Sequence, residues 1–345
     1  MKIRWIGAFN HSGFGIESIG MCTALKALGH EVHCVISTPP HVAVEGIDGL
    51  KECFGKRDET WPDRTVIHAM PPPLDVKVDV LWLNYEFTPL PDAWRYTLDH
   101  ANVLLAESLH AKSCFESITN RPISIVPSGI ETTFGDNFKG THIFKDNEFA
   151  FLSVLEWVPR KQPCLLINAF CEAFRDDPAV YLFIKATRGA LGNPRAEIPK
   201  ITAEYPGMKG RVVYVDQHIS DMGMLYPAFD GYVLPSALEG WGITFMEAIA
   251  CGIKPVCPAV GGNAMFCTAG NSYPVACGEW EPAAVFGEGL FHPEAKWRVP
   301  DKEDLIRNMQ RAVADRSRLS PEDREAFKAK WSWENAAKKL LEAME

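Results

Sequence analysis

The sequence predicts an α/β fold made of two domains with parallel sheets. Its 345 residues are enough for two domains of ordinary size. Short apolar segments typical of strands alternate with longer segments of helical periodicity, which favours a parallel sheet with helices on both faces. The alternation occurs on both sides of a polar segment at residues 132–148, which is predicted to be a linker. Residues 37–60 and 265–300 are expected to be irregular.

The first half opens with a strand, a helix and a second strand. Residues 2–8 predict a buried strand rather than a signal peptide, and helical spacing predicts a helix from Ile16 to Leu28 that Gly29 ends. This unit fits a dinucleotide fingerprint poorly, because Ser18 stands where a third glycine is expected and no acidic residue ends the second strand. Further strands are predicted at residues 66–69, 78–84, 103–107 and 123–126, and a helix at 108–118.

The second half repeats this alternation of strands and helices. Strands are predicted at residues 149–155, 180–185, 211–215, 232–234 and 255–257. Helices are predicted at residues 164–174, 220–228, 244–251, 301–314 and 333–344.

The loop between residues 234 and 244 has the strongest chemical signal. It lies at the carboxyl end of a predicted parallel strand, where open sheets bind ligands, and it contains Gly240 and Gly242. The helix that follows offers unbonded N–H groups and a positive dipole end, which suit a phosphate. Glu239 in the loop and Glu247 in the helix flank this point. One carboxylate is placed to reach a sugar and the other a ribose.

A basic pair, Arg160 and Lys161, also follows a predicted strand and precedes a helix. Lysine provides a point charge for phosphate, and arginine binds it bidentately. This turn is therefore a candidate diphosphate clamp.

The segment from Glu239 to Glu247, followed by Ala-Ile-Ala-Cys-Gly252 and Pro255-Val, resembles the E-x7-E signature of retaining, nucleotide-sugar glycosyltransferases of the GT-B fold, family 4 type. The resemblance implies two Rossmann-like domains facing a central cleft: an acceptor-side domain at 1–140 and a nucleotide-sugar domain at 149–330. The terminal helix, 332–345, would pack back on the first domain.

The resemblance also implies roles for individual residues. Lys161, Glu239 and Arg160 are the candidate catalytic residues, with Glu239 toward the sugar and Glu247 on the ribose diol. Asp216 to Ile219 are candidates for the base. The full set of donor-binding candidates is Gly13, Arg160, Lys161, Glu239, Gly240, Trp241, Gly242, Ile243, Thr244 and Glu247.

One position departs from the pattern of that family. The family has an arginine five residues before the lysine that matches Lys161, and this position is Glu156 here. The charge is reversed at this point, so Arg160 or a residue of the first domain would have to replace the missing cation.

Acceptor-side candidates are His68, Glu86 and His100, with His11 as a further histidine. The resemblance implies that the leaving phosphate takes the acceptor proton, so no strong base is required. It also implies no cofactor and no metal.

Composition limits the partners. A net charge of −9 disfavours nucleic acid and anionic lipid, and no apolar segment is long enough to span a membrane. Scattered cysteines without metal-binding spacing favour reduced thiols in the cytoplasm.

The expected partners are a UDP- or GDP-sugar and a glycan or small-molecule acceptor. Alternatives are a sugar-nucleotide epimerase or hydrolase of the same fold, and a non-catalytic nucleotide-sugar-binding protein. The oligomeric state stays open.

Overall fold

The computed structural model describes residues 1–37, 47–54, 62–140, 144–187, 192–208, 210–217, 219, 221–284 and 290–345. The chain divides into two compact units. Unit 1 comprises Met1–Glu131, Phe286–Ala295 and Lys328–Glu345, and unit 2 comprises Thr132–Val285 and Lys296–Phe327. The first boundary lies after Glu131, nine residues before residue 140 and at the start of the predicted linker.

Unit 1 is built on a parallel sheet of six strands in the order β2-β1-β3-β4-β5-β6. The strands are β1 (Lys2–Gly7), β2 (Glu31–Ile36), β3 (Arg64–His68), β4 (Val80–Leu83), β5 (Val103–Ala106) and β6 (Ile123–Ile125). The helices of its first segment, Met1–Glu131, are α1 (Gly13–Ala27), α2 (Arg95–His100) and α3 (Leu109–Glu116).

Unit 2 has a second parallel sheet of six strands. Its strands are β7 (Phe149–Glu156), β8 (Val180–Thr187), β9 (Val212–Val215), β10 (Gly231–Val233), β11 (Pro255–Pro258) and β12 (Tyr273–Val275). They lie in the order β12-β11-β10-β7-β8-β9, and a hairpin pairs β13 (Glu281–Pro282) with β14 (Lys296–Trp297). The helices are α4 (Pro163–Ala173), α5 (Pro194–Thr202), α6 (Ile243–Ala250), α7 (Lys302–Asp315) and α8 (Pro321–Lys330), whose last turn belongs to unit 1.

The last helix, α9 (Trp333–Met344), packs against α1 inside unit 1. Trp333 lies so close to Gly20 that a Cβ on that glycine would be 2.1 Å from the indole. Leu340 and Met344 join the core beneath the sheet of unit 1, which contains Trp5. A side chain at position 20 would therefore push α9 away from α1.

Helix ends follow the sequence signals. The hydroxyl of Ser108 accepts from Ala111 N at 3.0 Å and caps α3, and Ser332 caps α9 through Asn335 N at 3.3 Å. Gly29 follows α1 with φ +86°, a conformation that glycine adopts without steric cost.

Three predicted segments differ from the structure. The predicted helix at 220–228 is two short 3-10 turns, Met222–Met224 and Tyr226–Ala228, because Pro227 lacks an N–H for a helical bond. The predicted irregular segment at 265–300 contains β12 and the hairpin. The predicted linker at 132–148 belongs to unit 2, where Gly135 lies against Gly223 and Cys251.

Candidate functional site

The candidate site in unit 2 lies at the carboxyl ends of two neighbouring strands. β7 pairs in parallel with β10, so the segments that follow these strands leave the same edge of the sheet. The segment after β7 forms a 3-10 turn, Pro159–Lys161, and the segment after β10 contains Glu239. A hydrogen bond of 2.8 Å from Ala237 N to Arg160 O joins the two segments. Sheet topology thus brings together residues that lie far apart in the chain.

Both cations of the basic pair bind Glu239. Lys161 Nζ donates to Glu239 Oε1 at 2.5 Å, and Arg160 Nη1 donates to Glu239 Oε2 at 2.9 Å. Arg160 also donates to the carbonyl of Leu238 at 2.8 Å. The side chain of Glu239 is only 6% exposed. Burial alone would raise its pKa, but the Lys161 ammonium and the Arg160 guanidinium lower the pKa to about 2. Glu239 is therefore an anion throughout the physiological range.

A glycine pair that the sequence reasoning missed positions the backbone of Glu239. Gly262 N donates to Glu239 O at 2.7 Å. A Cβ on Gly262 would lie 1.7 Å from Gly240 O, and a Cβ on Gly261, which has φ +93°, would lie 2.9 Å from Glu239 O. Only glycine allows this approach of two backbones. The signal was present in the sequence as Gly261-Gly262, which begins three residues after the last residue of β11.

The start of α6 follows the expected pattern. Gly242 is its N-cap with φ +93°, and Ile243 and Thr244 occupy the first turn, where backbone N–H groups have no helical acceptor. Trp241 is 1% exposed and its ring packs on Phe266 with centroids 5.0 Å apart. The indole thus supports the loop from within the core, and only the backbone of this residue remains a candidate for phosphate contact.

Glu247 lies in the second turn of α6 and is 5% exposed. Tyr226 OH donates to Glu247 Oε2 at 2.6 Å. Burial raises the pKa of Glu247 to about 7, although the phenol hydrogen bond lowers it. Glu239 and Glu247 therefore differ in charge near neutral pH. Tyr226 is a third residue that sequence reasoning missed, because it lies in the segment predicted as a regular helix.

A cavity of about 280 Å³ borders the basic turn within unit 2. Val158, Pro159 and Gln162 of the turn line it, together with Trp157, Glu197 and Trp297. The indole N–H of Trp157 donates to Glu197 Oε2 at 3.0 Å.

The candidates for contact with the nucleotide base follow β9. Asp216 accepts from Arg195 and, at 2.9 Å, from Tyr214 OH, and His218 lies outside the described residues.

Gly13, the donor candidate of unit 1, opens α1 and has open space where a Cβ would lie. The neighbouring position 15 requires glycine for steric reasons, because a Cβ there would be 2.2 Å from Asn10 O. Ser12 caps the helix by accepting from Gly15 N at 3.2 Å.

His68, the last residue of β3, is 1% exposed and lies inside a buried polar network. Its Nε2 is 3.1 Å from Glu17 Oε2, and its Nδ1 is 3.2 Å from Ser18 Oγ. The imidazole stacks on Trp82 with centroids 4.5 Å apart. Burial lowers the pKa of His68 to about 3, so the ring is neutral. The structure thus encloses His68, which the sequence placed among the acceptor candidates.

A second carboxyl group, that of Glu107, completes this network. Ser128 Oγ donates to Glu107 Oε1, and Glu107 lies next to Glu17. Burial raises the pKa of Glu17 to about 7 and that of Glu107 well above its usual value. The two carboxyls therefore hold protons that exposed ones would release. Ser18, which replaces the fingerprint glycine, is part of the network.

The other two acceptor candidates have local partners. The backbone carbonyl of Glu86 accepts from His110 Nε2 at 2.7 Å. His100 stacks on Tyr96 with centroids 4.1 Å apart, and its Nδ1 donates to Tyr96 O at 2.8 Å.

Within the described part of the chain, no cluster of three or more His, Cys, Asp or Glu side chains has a geometry for metal binding. In the same residues, no helix combines the length and apolar character needed to cross a bilayer.

Residues 146–285 match the family described as Glycosyl transferases group 1. The chain is 27% identical over 190 residues to the D-inositol 3-phosphate glycosyltransferase of Rhodococcus opacus. That match covers 54% of this chain and 38% of the relative, so the chain spans about two fifths of the length of the curated relative.

The solved structures that match nearly the whole chain include the following two. Sucrose-phosphate synthase from Thermosynechococcus elongatus has a TM-score of 0.70 at 16% identity, covering 99% of this chain and 97% of that one. Anabaena HepE, in complex with UDP and glucose, has a TM-score of 0.64 at 14% identity, covering 99% and 98%. The predicted GT-B class, with two Rossmann-like domains built on parallel sheets, is thereby confirmed.

Proposed function

We propose that the protein is a retaining GT-B glycosyltransferase that moves a sugar from a UDP- or GDP-sugar to a glycan or small-molecule acceptor. The observation that carries the proposal is the contact of Glu239 with both Arg160 and Lys161 at the carboxyl edge of the sheet of unit 2. This edge lies inside the segment that matches the glycosyltransferase family. A carboxylate beside two cations provides one group for a sugar and two for a diphosphate.

Glycosyl transfer requires that negative charge developing on the departing diphosphate be stabilised more strongly in the transition state than in the bound substrate. Lys161 and Arg160 supply positive charge where the turn after β7 meets the loop that leads from β10 to α6, and the N–H groups at the start of α6 also favour phosphate. Arg160 thus takes the place of the arginine that Glu156 replaces. Glu239 binds hydroxyls of the sugar and faces the positive charge that develops at the anomeric carbon.

The remaining donor contacts follow from α6 and from unit 1. Glu247 accepts hydrogen bonds from the two ribose hydroxyls, since one carboxylate has acceptor sites for both. Gly13 allows a close approach of backbone to the diphosphate. Unit 1 binds the acceptor, and the leaving phosphate takes the acceptor proton. No metal takes part.

The test is a panel of nucleotide sugars that includes UDP-glucose, UDP-N-acetylglucosamine and GDP-mannose. We expect one of them to raise the melting temperature of the wild type and to be consumed slowly in water. Addition of acceptor pools should then give a product whose anomeric proton coupling in NMR keeps the donor configuration. Failure of every nucleotide sugar to stabilise the protein would overturn the proposal.

The alternatives give different results in the same experiment. Release of an epimerised sugar, or fast donor hydrolysis that no acceptor redirects, would favour the epimerase or hydrolase. Binding of a donor without any turnover in all acceptor pools would favour a non-catalytic binding protein. Lys161→Met serves as the negative control, because it removes the ammonium and keeps an unbranched side chain of similar length.

A further inference from the structure

We propose that Glu239 makes the site prefer an intact nucleotide sugar over a free nucleoside diphosphate, because it occupies the two cations that a diphosphate must take. This inference rests on the proposed function and adds a role in donor selection and product release. It requires that the carboxylate and the diphosphate compete for Lys161 and Arg160.

The first step is the strength of the existing ion pairs. All three side chains are shielded from water: Glu239 is 6% exposed, Lys161 13% and Arg160 21%. Each oxygen of the carboxylate accepts from a different cation. Removing the partners of a buried ion costs much more than removing those of an exposed one, because water does not replace them.

The second step is that the backbone of Glu239 is fixed beside the two cations. Its carbonyl accepts from Gly262 N at 2.7 Å, and the backbone of Gly240 lies against Gly262 without room for a Cβ. The carboxylate therefore extends from a fixed backbone position and is buried with both cations. A phosphate that reaches Lys161 and Arg160 enters beside this negative charge.

The third step distinguishes the two ligands. A nucleotide sugar brings hydroxyl donors on the same molecule as its diphosphate, and these hydroxyls replace the hydrogen bonds that Glu239 gives up. A free nucleoside diphosphate brings the negative charge alone, so Glu239 is left with weakened partners next to an anion. Specificity is a difference of affinities, and this arrangement penalises the ligand without the sugar. After transfer, the remaining diphosphate is the disfavoured ligand and dissociates.

The test measures dissociation constants by calorimetry for UDP and UDP-glucose, or for the matching pair if another donor stabilises the protein most. In Glu239→Gln we expect UDP to bind at least tenfold more tightly than in the wild type, and the preference for the nucleotide sugar to fall at least tenfold. Glu239→Asp, which keeps the charge on a shorter side chain, should lie between the two. A residue that only contacts sugar would leave the affinity for UDP unchanged, and that result would overturn the inference.

Inorganic pyrophosphate separates this inference from the proposed function. We expect it to bind Glu239→Gln at least tenfold more tightly than the wild type, whichever nucleotide sugar is the donor. Equal pyrophosphate affinity in the two proteins would overturn the competition even if nucleotide sugars bind. Glu172→Gln is the matched control, because it removes the same charge from a carboxylate of unit 2 that pairs with Lys302 at the surface, and it should leave both affinities within about twofold of the wild type.

Discussion

Glu239 and Glu247 are the same residue type eight positions apart, and their surroundings give them opposite protonation. Two cations hold the pKa of Glu239 at about 2 in spite of burial, whereas Glu247 has a phenol for a partner and its pKa is raised by burial to about 7. Glu239 is thus an anion near neutral pH, whereas Glu247 titrates there. The difference arises from the elements that surround each carboxyl group.

The role assigned to Glu247 can be tested by Glu247→Ala. We expect the donor dissociation constant to rise at least tenfold while the protein stays folded, because the ribose hydroxyls lose their shared acceptor. In the wild type, donor affinity should increase as the pH rises through about 7, where the carboxylate forms. Calorimetry from pH 6 to 8.5, with circular dichroism as a check on folding, measures both effects.

Glu172→Ala is the control for this substitution. Glu172 lies on α4 in the same unit and pairs with Lys302 at the surface, at 2.6 Å. Its removal should leave donor affinity and its pH dependence unchanged. Unaltered donor binding in Glu247→Ala would remove the ribose assignment.

At the scale of elements, the backbones of the loops after β10 and β11 lie in direct contact, because both loops contain glycine. Gly262 brings the second loop against the carbonyl of Gly240, and Gly242 starts α6 in a left-handed conformation. This contact positions Glu239 without any side chain of the second loop. The elements that build the candidate site are thus joined through backbone as well as through ion pairs.

We expect Gly262→Ala to lower the free energy of unfolding by roughly 2 kcal/mol, because an added Cβ overlaps Gly240 O and forces the loops apart. Donor affinity should fall at the same time, since the backbone of Glu239 loses its support. Urea denaturation and calorimetry measure the two quantities. Gly270→Ala in the same unit is the control, because its Cβ would meet only Thr268 Oγ1 at 3.7 Å. Equal stabilities of the two variants would contradict the steric argument.

At the scale of the whole molecule, buried carboxyl groups make stability depend on pH. Burial raises the pKa of Glu17 from 4.5 to about 7. Glu17 makes its full contribution to the free energy of unfolding below pH 4.5, where its carboxyl group is protonated in both the folded and the unfolded chain. This contribution is lost as the pH rises through 7. The lowered pKa of His68 has the opposite effect, because its contribution is lost as the pH falls from 6.5 toward 3. The two effects oppose each other between pH 4.5 and 6.5.

Comparison of the wild type with Glu17→Gln isolates the carboxyl contribution. The difference in free energy of unfolding should change in favour of the variant by about 3 kcal/mol between pH 4.5 and 8.5, from the change in the Glu17 pKa. Urea denaturation at several pH values measures it. Glu334→Gln removes an exposed carboxylate of α9 that pairs with Lys338, and it should show no such trend. A difference independent of pH would show that Glu17 is ionised in the folded protein.

Much of the fold follows from local pattern. Alternating strands and helices, the caps at Ser108 and Ser332, and the turn at Gly29 are properties of short segments, so they are readable without tertiary information. The helix predicted at 220–228 was wrong, because the helical spacing of its apolar residues did not outweigh the effect of Pro227. The strand β12 was missed, since Pro274 is the middle one of its three residues and proline argues against a strand in the interior of a sheet.

The sequence by itself determined a parallel α/β chain with Glu239, Glu247 and a basic pair at strand ends, because periodicity, glycines and charges are local. Only the tertiary structure decided that Lys161 and Arg160 both bind Glu239, that Glu247 is bonded to Tyr226, and that His68 is enclosed with Glu17. Coulomb attraction and desolvation depend on distances between atoms and on the exclusion of water. Those distances join residues up to 79 positions apart, so they exist only once the sheets have formed.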